Sequence, residues 1–282
     1  MAETDPNDLD FTQPPRRSWG YNPILTRMCF NSLGTEETMP EGGCFFVENQ
    51  MGDKMYLLIE GEVGLRRGTR SLDIVKRDEL FGEMAVIAHR PRSASAVARI
   101  PCRVLSLDAR QCQHAIQQTP EFGVMLMNIM IKRLRLSFFT LSMTRSLPDW
   151  REVAETKVLD EKLLAEFVRA LQERPPLHYP VHKVIMKAEE TGVFMYVVLE
   201  GRVAVSVESQ VVERIGPGGV FGEMALAEQS TRVANAVAET ACVLLPVNRN
   251  DVLDLIKSRP EIAMSLLRAI AERLRHMDTG YK

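Results

Sequence analysis

FGEMAVIAHRPRSASAVA, residues 81–98, and FGEMALAEQSTRVANAVA, residues 221–238, are one segment written twice, 140 positions apart. Each opens on Phe-Gly-Glu-Met-Ala and places an Arg nine positions after its Glu, pairing Glu83 with Arg92 and Glu223 with Arg232. Gly82 and Gly222 allow close backbone approach or positive φ. Backbone N–H groups at the start of the Met84-Ala85 and Met224-Ala225 turns form an anion site. A guanidinium adds a planar fork for two oxygens, which a lysine does not match. The carboxylate accepts from a hydroxyl, and standing near the Arg it keeps either charge from being alone in apolar surroundings. Anion, hydroxyl and apolar ring are thus addressed by one segment. A single Glu-to-Arg pair reads as a surface ion pair; two in matching frames do not.

The repeat extends outward without insertion or deletion from Pro40 and Pro180. Met55-Tyr56 returns as Met195-Tyr196, Pro120-Glu121 as Pro260-Glu261, and Arg133-Leu134-Arg135 as Arg273-Leu274-Arg275. A period this long is a duplicated domain, not a solenoid unit. Each copy begins with short apolar or alternating runs between turn formers, a mainly β pattern that favours a small barrel or sandwich. Helices follow at 108–117 and 120–145, the latter with Pro120 in its first turn, and again at 250–258 and 260–277. Apolar residues at helical spacing from 150 to 174, stopped by Pro175-Pro176, predict a helical lead-in to the second copy. The expected division is a tail over 1–22, a first domain over 23–145 and a second over 146–282.

The doubled segment resembles the phosphate-binding cassette of the cyclic-nucleotide-binding family, which includes the regulatory subunits of cAMP-dependent protein kinase and the bacterial catabolite activator protein. The Glu-to-Arg spacing is similar to the kinase subunits, and Arg92-Ser93-Ala94 to the activators. The resemblance implies a mainly β fold with flanking helices, two jelly-roll (double-stranded β-helix) barrels joined by helices. It implies that Glu83 and Glu223 bind a ribose 2′-hydroxyl and that Arg92 and Arg232 neutralise a cyclic phosphate. Backbone amides near Gly82, Met84 and Ala85, and near Gly222, Met224 and Ala225, complete the phosphate site. Ser93 and Ala94, and Val233 and Ala234, adjoin phosphate and base. Three departures separate the copies: Ser93 against Val233, Ser95 against Asn235, and a glycine-free Lys76-Arg77-Asp78-Glu79 turn against Gly216-Pro217-Gly218-Gly219. Asp78 is expected to take the left-handed conformation there. The two pockets are therefore expected to differ in affinity or base preference.

Composition narrows the rest. A net charge of −2 over 282 residues offers no broad attraction to nucleic acid or anionic membrane. The most apolar stretch, 122–131, is too short to span a bilayer. The five cysteines are odd in number and none sits at CxxC spacing, and the start carries no secretory pattern, so a cytoplasmic protein is expected. His178 and His182 flank Tyr179-Pro180, which spoils a helical metal site; no metal and no cofactor beyond the nucleotide is expected. No Ser-His-Asp or Cys-His grouping accompanies the cassettes, so a binding protein is expected rather than an enzyme. Five residues after Met277 leave no room for a winged helix, which argues against a DNA-binding activator. Arg16-Arg17-Ser18-Trp19 reads as tail, and Lys132-Arg133-Leu134-Arg135 as a solvated helix shoulder. The 120–145 helix is apolar around more than one face and so calls for a partner on more than one side, with a homodimer as one answer. The expected function is an intracellular cAMP or cGMP receptor signalling through helix movement to an unidentified protein effector. The alternatives are a regulatory or inhibitory subunit of an enzyme, or a receptor for a non-standard purine nucleoside or a cyclic dinucleotide.

Overall fold

The computed structural model describes residues 21–144, 158–207, 210–226 and 231–279. Arg16 to Trp19 and the first part of the expected lead-in helix lie outside the described residues.

The first copy opens with a helix, α1 (Pro23–Leu33), that the strand-rich pattern did not announce. Its signal is Asn22-Pro23: the Asn22 side chain accepts from the amides of Ile24 and Leu25 at 3.1 Å each, and Pro23 occupies the first turn. Asn22 and the Tyr21 hydroxyl, which donates to the Asp78 carbonyl, thus belong to the folded part rather than to a tail.

Eight strands follow: β1 (Thr35–Met39), β2 (Cys44–Phe46), β3 (Lys54–Glu60), β4 (Val63–Arg67), β5 (Arg70–Val75), β6 (Leu80–Phe81), β7 (Ser95–Ala98) and β8 (Cys102–Asp108). They form two four-stranded antiparallel sheets, ordered β1-β8-β3-β6 and β2-β7-β4-β5. Leu58, Phe81 and Val104 of one sheet share a core with Phe46, Val63 and Ala96 of the other. The sheets therefore pack face to face as a jelly-roll sandwich. Helix α2 (Glu83–Ala88) sits between β6 and β7.

The second copy repeats this with β9 (Leu177–Tyr179), β10 (Val184–Met186), β11 (Met195–Glu200), β12 (Val203–Val207), β13 (Gln210–Ile215), β14 (Val220–Phe221), β15 (Asn235–Ala238) and β16 (Cys242–Val247). Its sheet orders, β9-β16-β11-β14 and β10-β15-β12-β13, are those of the first copy. A single 3-10 turn, Glu223–Leu226, stands where α2 stands in copy one.

Helices α3 (Ala109–Gln118) and α4 (Pro120–Thr144) close the first repeat, and α6 (Arg249–Ser258) and α7 (Pro260–Thr279) the second. Of the expected lead-in, the described part from 158 onward holds one short helix. Helix α5 covers only Glu161–Ala170, started by Asp160, whose side chain accepts from the Leu163 amide at 2.8 Å. It ends ahead of Pro175-Pro176, where the residue before a proline is pushed out of helical conformation.

Packing divides the chain between Ala115 and Ile116. The repeat boundary and the packing boundary are thus different places, and α4, which ends the first repeat in sequence, packs with the second: it runs against α6, α7 and the 3-10 turn.

The glycine-free turn behaves as its residues require. Asp78 lies at φ +69°, as its counterpart Gly218 does at +81°. The Asp78 amide donates to Leu58 O at 2.8 Å and the Gly218 amide to Val198 O at 2.9 Å.

Candidate functional site

In both copies the cassette starts at the glycine. Gly82 (φ +77°) and Gly222 (φ +74°) are left-handed, and a Cβ there would come within 2.8 Å and 2.7 Å of the guanidinium of Arg92 and of Arg232. Only glycine meets both demands.

The two arginines are held in the same way. Nη1 of Arg92 donates to Gly82 O at 2.7 Å and Nη2 to Lys54 O at 2.6 Å. Nη1 of Arg232 donates to Gly222 O at 3.0 Å and Nη2 to Phe194 O at 2.7 Å. Their own backbones are pinned in parallel, the Arg92 amide to Gln50 O and the Arg232 amide to Glu190 O, each at 2.9 Å. Arg92 is 4% exposed and Arg232 9%. Burial pushes both guanidiniums below their ordinary range, against the pull of Tyr56, Glu83 and Asp53 on Arg92 and of Tyr196 and Glu223 on Arg232.

Each Glu is near enough to act on its Arg electrostatically, Glu83 on Arg92 and Glu223 on Arg232, but does not pair with it directly. Among the described residues no carboxylate comes within ion-pair distance of Arg92 or Arg232. The guanidinium is turned onto two carbonyls instead, and Nε of Arg92 is buried with no hydrogen-bond partner. Glu83 and Glu223 are nonetheless buried, at 2% and 5% exposure.

Where Glu223 points is the chief feature that sequence reasoning missed. Its Oε1 lies 3.0 Å from Nη1 of Arg273 on α7, as an ion pair rather than an aligned hydrogen bond. The same guanidinium donates from Nε to Glu213 Oε2 of β13 at 3.1 Å and from Nη2 to Val220 O at 2.5 Å. Burial acts to lower the Arg273 pKa, but Glu213 and Glu223 outweigh it and raise it. Phe221, Glu223, Arg232, Glu213 and Arg273 line one pocket in the second copy, with Met186 and Val205 on its apolar side. Arg273 is therefore buried, whereas in the expected shoulder of copy one Lys132 and Arg135 are half-buried. In copy one Arg133 is half-buried, and Asp73, at the position of Glu213, is exposed with its carboxylate on the Ile74 amide at 2.7 Å. The one available signal was the return of an Arg at 133 and 273.

The other expected residues fall around these. Met84 and Ala85 begin α2, and Met224 and Ala225 lie in the 3-10 turn, where the Ala225 amide is occupied by Gly222 O at 3.1 Å. Ser93 and Val233 are half-buried beside the arginines, and Ala94 and Ala234 are buried. The Ser95-to-Asn235 departure leaves the scaffold unchanged: Ser95 Oγ accepts from the Glu48 amide at 2.9 Å and Asn235 Oδ1 from the equivalent Ala188 amide at 3.0 Å. A real asymmetry lies under the arginines. Arg92 stacks over Phe46, Cζ 4.0 Å from the ring centroid, where copy two has Met186. Gly52 and Gly192, also missed, lie so close that a Cβ would meet Nε of Arg92 at 2.5 Å and of Arg232 at 2.2 Å.

Two jelly-roll sandwiches, each with a buried guanidinium and a buried carboxylate around one cassette, make a doubled ligand-binding module. The chain belongs to the family described as "Cyclic nucleotide-binding domain", whose model matches residues 36–119 and 176–259, more than half of its length. It is 24% identical over 231 residues to a cGMP-dependent protein kinase of Drosophila melanogaster, covering 79% of this chain and 19% of the kinase. It is 23% identical over 270 residues to the cAMP-dependent protein kinase regulatory subunit of Schizosaccharomyces pombe, covering 87% of this chain and 59% of that subunit. A solved structure of the Thermus thermophilus catabolite activator protein matches at 22% identity with a TM-score of 0.42, over 58% of this chain and 74% of that one. The chain thus spans between 19% and 59% of the length of these two kinase-related relatives. Cyclic nucleotides are the ligands of this family, and no helix among the described residues is long and apolar enough to cross a membrane.

Proposed function

We propose that the chain is a receptor for cAMP or cGMP with two pockets, passing occupancy to a partner protein. The carrying observation is the pair of buried guanidiniums, each gripped by two neutral carbonyls and, among the described residues, lacking a carboxylate within ion-pair distance. A cation in that position is costly until an anion arrives. A cyclic phosphate supplies that charge to Arg92 and Arg232, and the ribose 2′-hydroxyl donates to Glu83 and Glu223. The first amides of each turn, at Met84 and at Glu223 and Met224, are among the N–H groups that a helical turn leaves to outside partners, and they complete the phosphate contact. Ser93 offers a hydroxyl to phosphate or to the amino group of a syn guanine. Val233 does not, so pocket one is expected to accept cGMP better than pocket two.

Signalling follows from sharing. Glu223 holds Arg273, so a hydroxyl donating to Glu223 alters the grip on α7, and a ligand with different affinity for the two arrangements shifts their populations. Five cysteines, all without a disulfide, fit a cytoplasmic setting for receptor and effector. The test is calorimetric titration of the unaltered chain, Arg92→Ala and Arg232→Ala with each nucleotide. Two binding steps are expected, one lost in each variant; no heat from either nucleotide at micromolar concentration removes the reading.

A further inference from the structure

Helices α4 and α7 hold equivalent places in the repeat, starting at Pro120-Glu121 and Pro260-Glu261. They pack against each other. One point of contact is Gly123, where a Cβ would stand 3.5 Å from Cβ of Ala263 on α7 and 3.0 Å from Cγ2 of Ile116 on α3. Residues 123 and 263 are one repeat period of 140 apart. A residue packed against its own counterpart is what a two-fold contact between equivalent helices produces, as between subunits of a symmetric dimer, and here it is made within one chain. Small residues at that point let the two backbones come close. Phe122, Leu126 and Met130 of α4 and Ile262, Leu266 and Ile270 of α7 are buried. The same packing sets α4 against the 3-10 turn Glu223–Leu226, the cassette of copy two.

We propose that α4 and α7 form an intrachain two-fold helix pair crossing at Gly123 and Ala263, and that α4, which belongs to the first repeat, serves through this pair as a supporting wall of the second nucleotide pocket. The apolar face of α4 then has its partner in its own chain and needs no second copy. The pocket half of this proposal rests on the receptor reading; the helix pair does not.

The pair is tested by cross-linking. The 3.5 Å Cβ separation lies within the range a disulfide spans. In a Cys44→Ser background, which removes the exposed native thiol, Gly123→Cys with Ala263→Cys is oxidised and run without reductant. An intrachain bridge, seen as a faster-migrating monomer at every protein concentration, is expected. A disulfide-linked dimer, or no bridge in a variant that folds, overturns the pair. Should the variant not fold, sedimentation velocity on the unaltered chain asks the same question: monomer over a hundredfold concentration range supports it, and a dimer overturns it.

The wall is tested by Gly123→Leu, which crowds Ala263 of α7 and Ile116 of α3 and so displaces α4 from its packing. Combined with Arg92→Ala, which leaves pocket two alone, it is expected to weaken nucleotide binding at least tenfold. Combined with Arg232→Ala, it is expected to change pocket one less than threefold. No loss at pocket two, or equal loss at both, overturns the assignment. Absence of nucleotide binding in the unaltered chain would instead strike the receptor reading and leave the cross-link result standing.

Discussion

Arg273 and Glu223 join the last helix of the chain to the second cassette, their charged atoms 3.0 Å apart and both side chains buried. Glu213 completes the cluster from β13 at 3.1 Å. Arg273→Ala leaves the buried Glu223 and the half-buried Glu213 without their counter-charge, and breaking such a group costs about 3–5 kcal/mol. The expected result in urea unfolding is a loss of that order, with Arg273→Lys intermediate because an ammonium cannot serve Glu213, Glu223 and Val220 O from one planar fork. A loss below about 1 kcal/mol would mean that the contact is idle.

Arg92 is expected to behave in the opposite way. Among the described residues it has no ion-pair partner, and a buried charge without one is costly to keep. Arg92→Met keeps most of the volume over Phe46, so the thermal midpoint of the ligand-free protein should hold or rise while the first binding step disappears. A marked fall in the ligand-free midpoint would assign Arg92 to the scaffold instead.

The cassettes were legible because each residue is local and appears twice: Gly82, Glu83 and Arg92 fall within one short run, and the period of 140 picks them out again at Gly222, Glu223 and Arg232. What each Glu touches was not legible. Glu223 meets a residue 50 positions later, and Glu213 one 60 positions later, and no local pattern encodes a contact between a strand and a distant helix. Lys132, Arg133 and Arg135 are half-buried, but the burial of Arg273 at the equivalent place was not legible, because charge clustering describes composition and burial is decided by what packs over a residue. Ser95 and Asn235 look different as letters, yet each presents one oxygen to the same backbone amide. The partner of α4 was hidden for a simpler reason: an apolar face states a need without naming what fills it.

The turn at Asp78 gives a test of backbone strain alone. At φ +69° an alanine bears the left-handed cost of about 1–2 kcal/mol that Asp partly escapes. It also loses the pair between Arg27 Nε and Asp78 Oδ1 at 2.5 Å, a partly exposed contact worth about 1 kcal/mol or less. Asp78→Ala should therefore lower the urea midpoint clearly. Asp78→Gly trades the same ion pair for relief of strain, as Gly218 does in the second copy, and should stay within about 1 kcal/mol of the parent. Equal losses in the two variants would show that the ion pair, not the backbone, sets the cost.

Acid stability should follow Glu37 and Glu239. Burial tends to raise the Glu37 carboxyl, but Lys54 at 2.7 Å and the Ser106 hydroxyl at 2.5 Å hold it below its ordinary value of 4.5. Glu239 is likewise kept low against its burial, by Arg214 at 3.0 Å and Arg202 at 2.5 Å. A carboxylate with a depressed folded pKa contributes stability that is present above its unfolded value and lost as pH falls through the folded one. Urea unfolding should thus show a plateau above about pH 5 and a decline below about pH 4.5. Glu37→Gln and Glu239→Gln should each lower the plateau by about 1 kcal/mol or less and make the acid decline shallower, because the substituted amide has no proton to take up. An unchanged slope in both variants would place the acid response elsewhere in the chain.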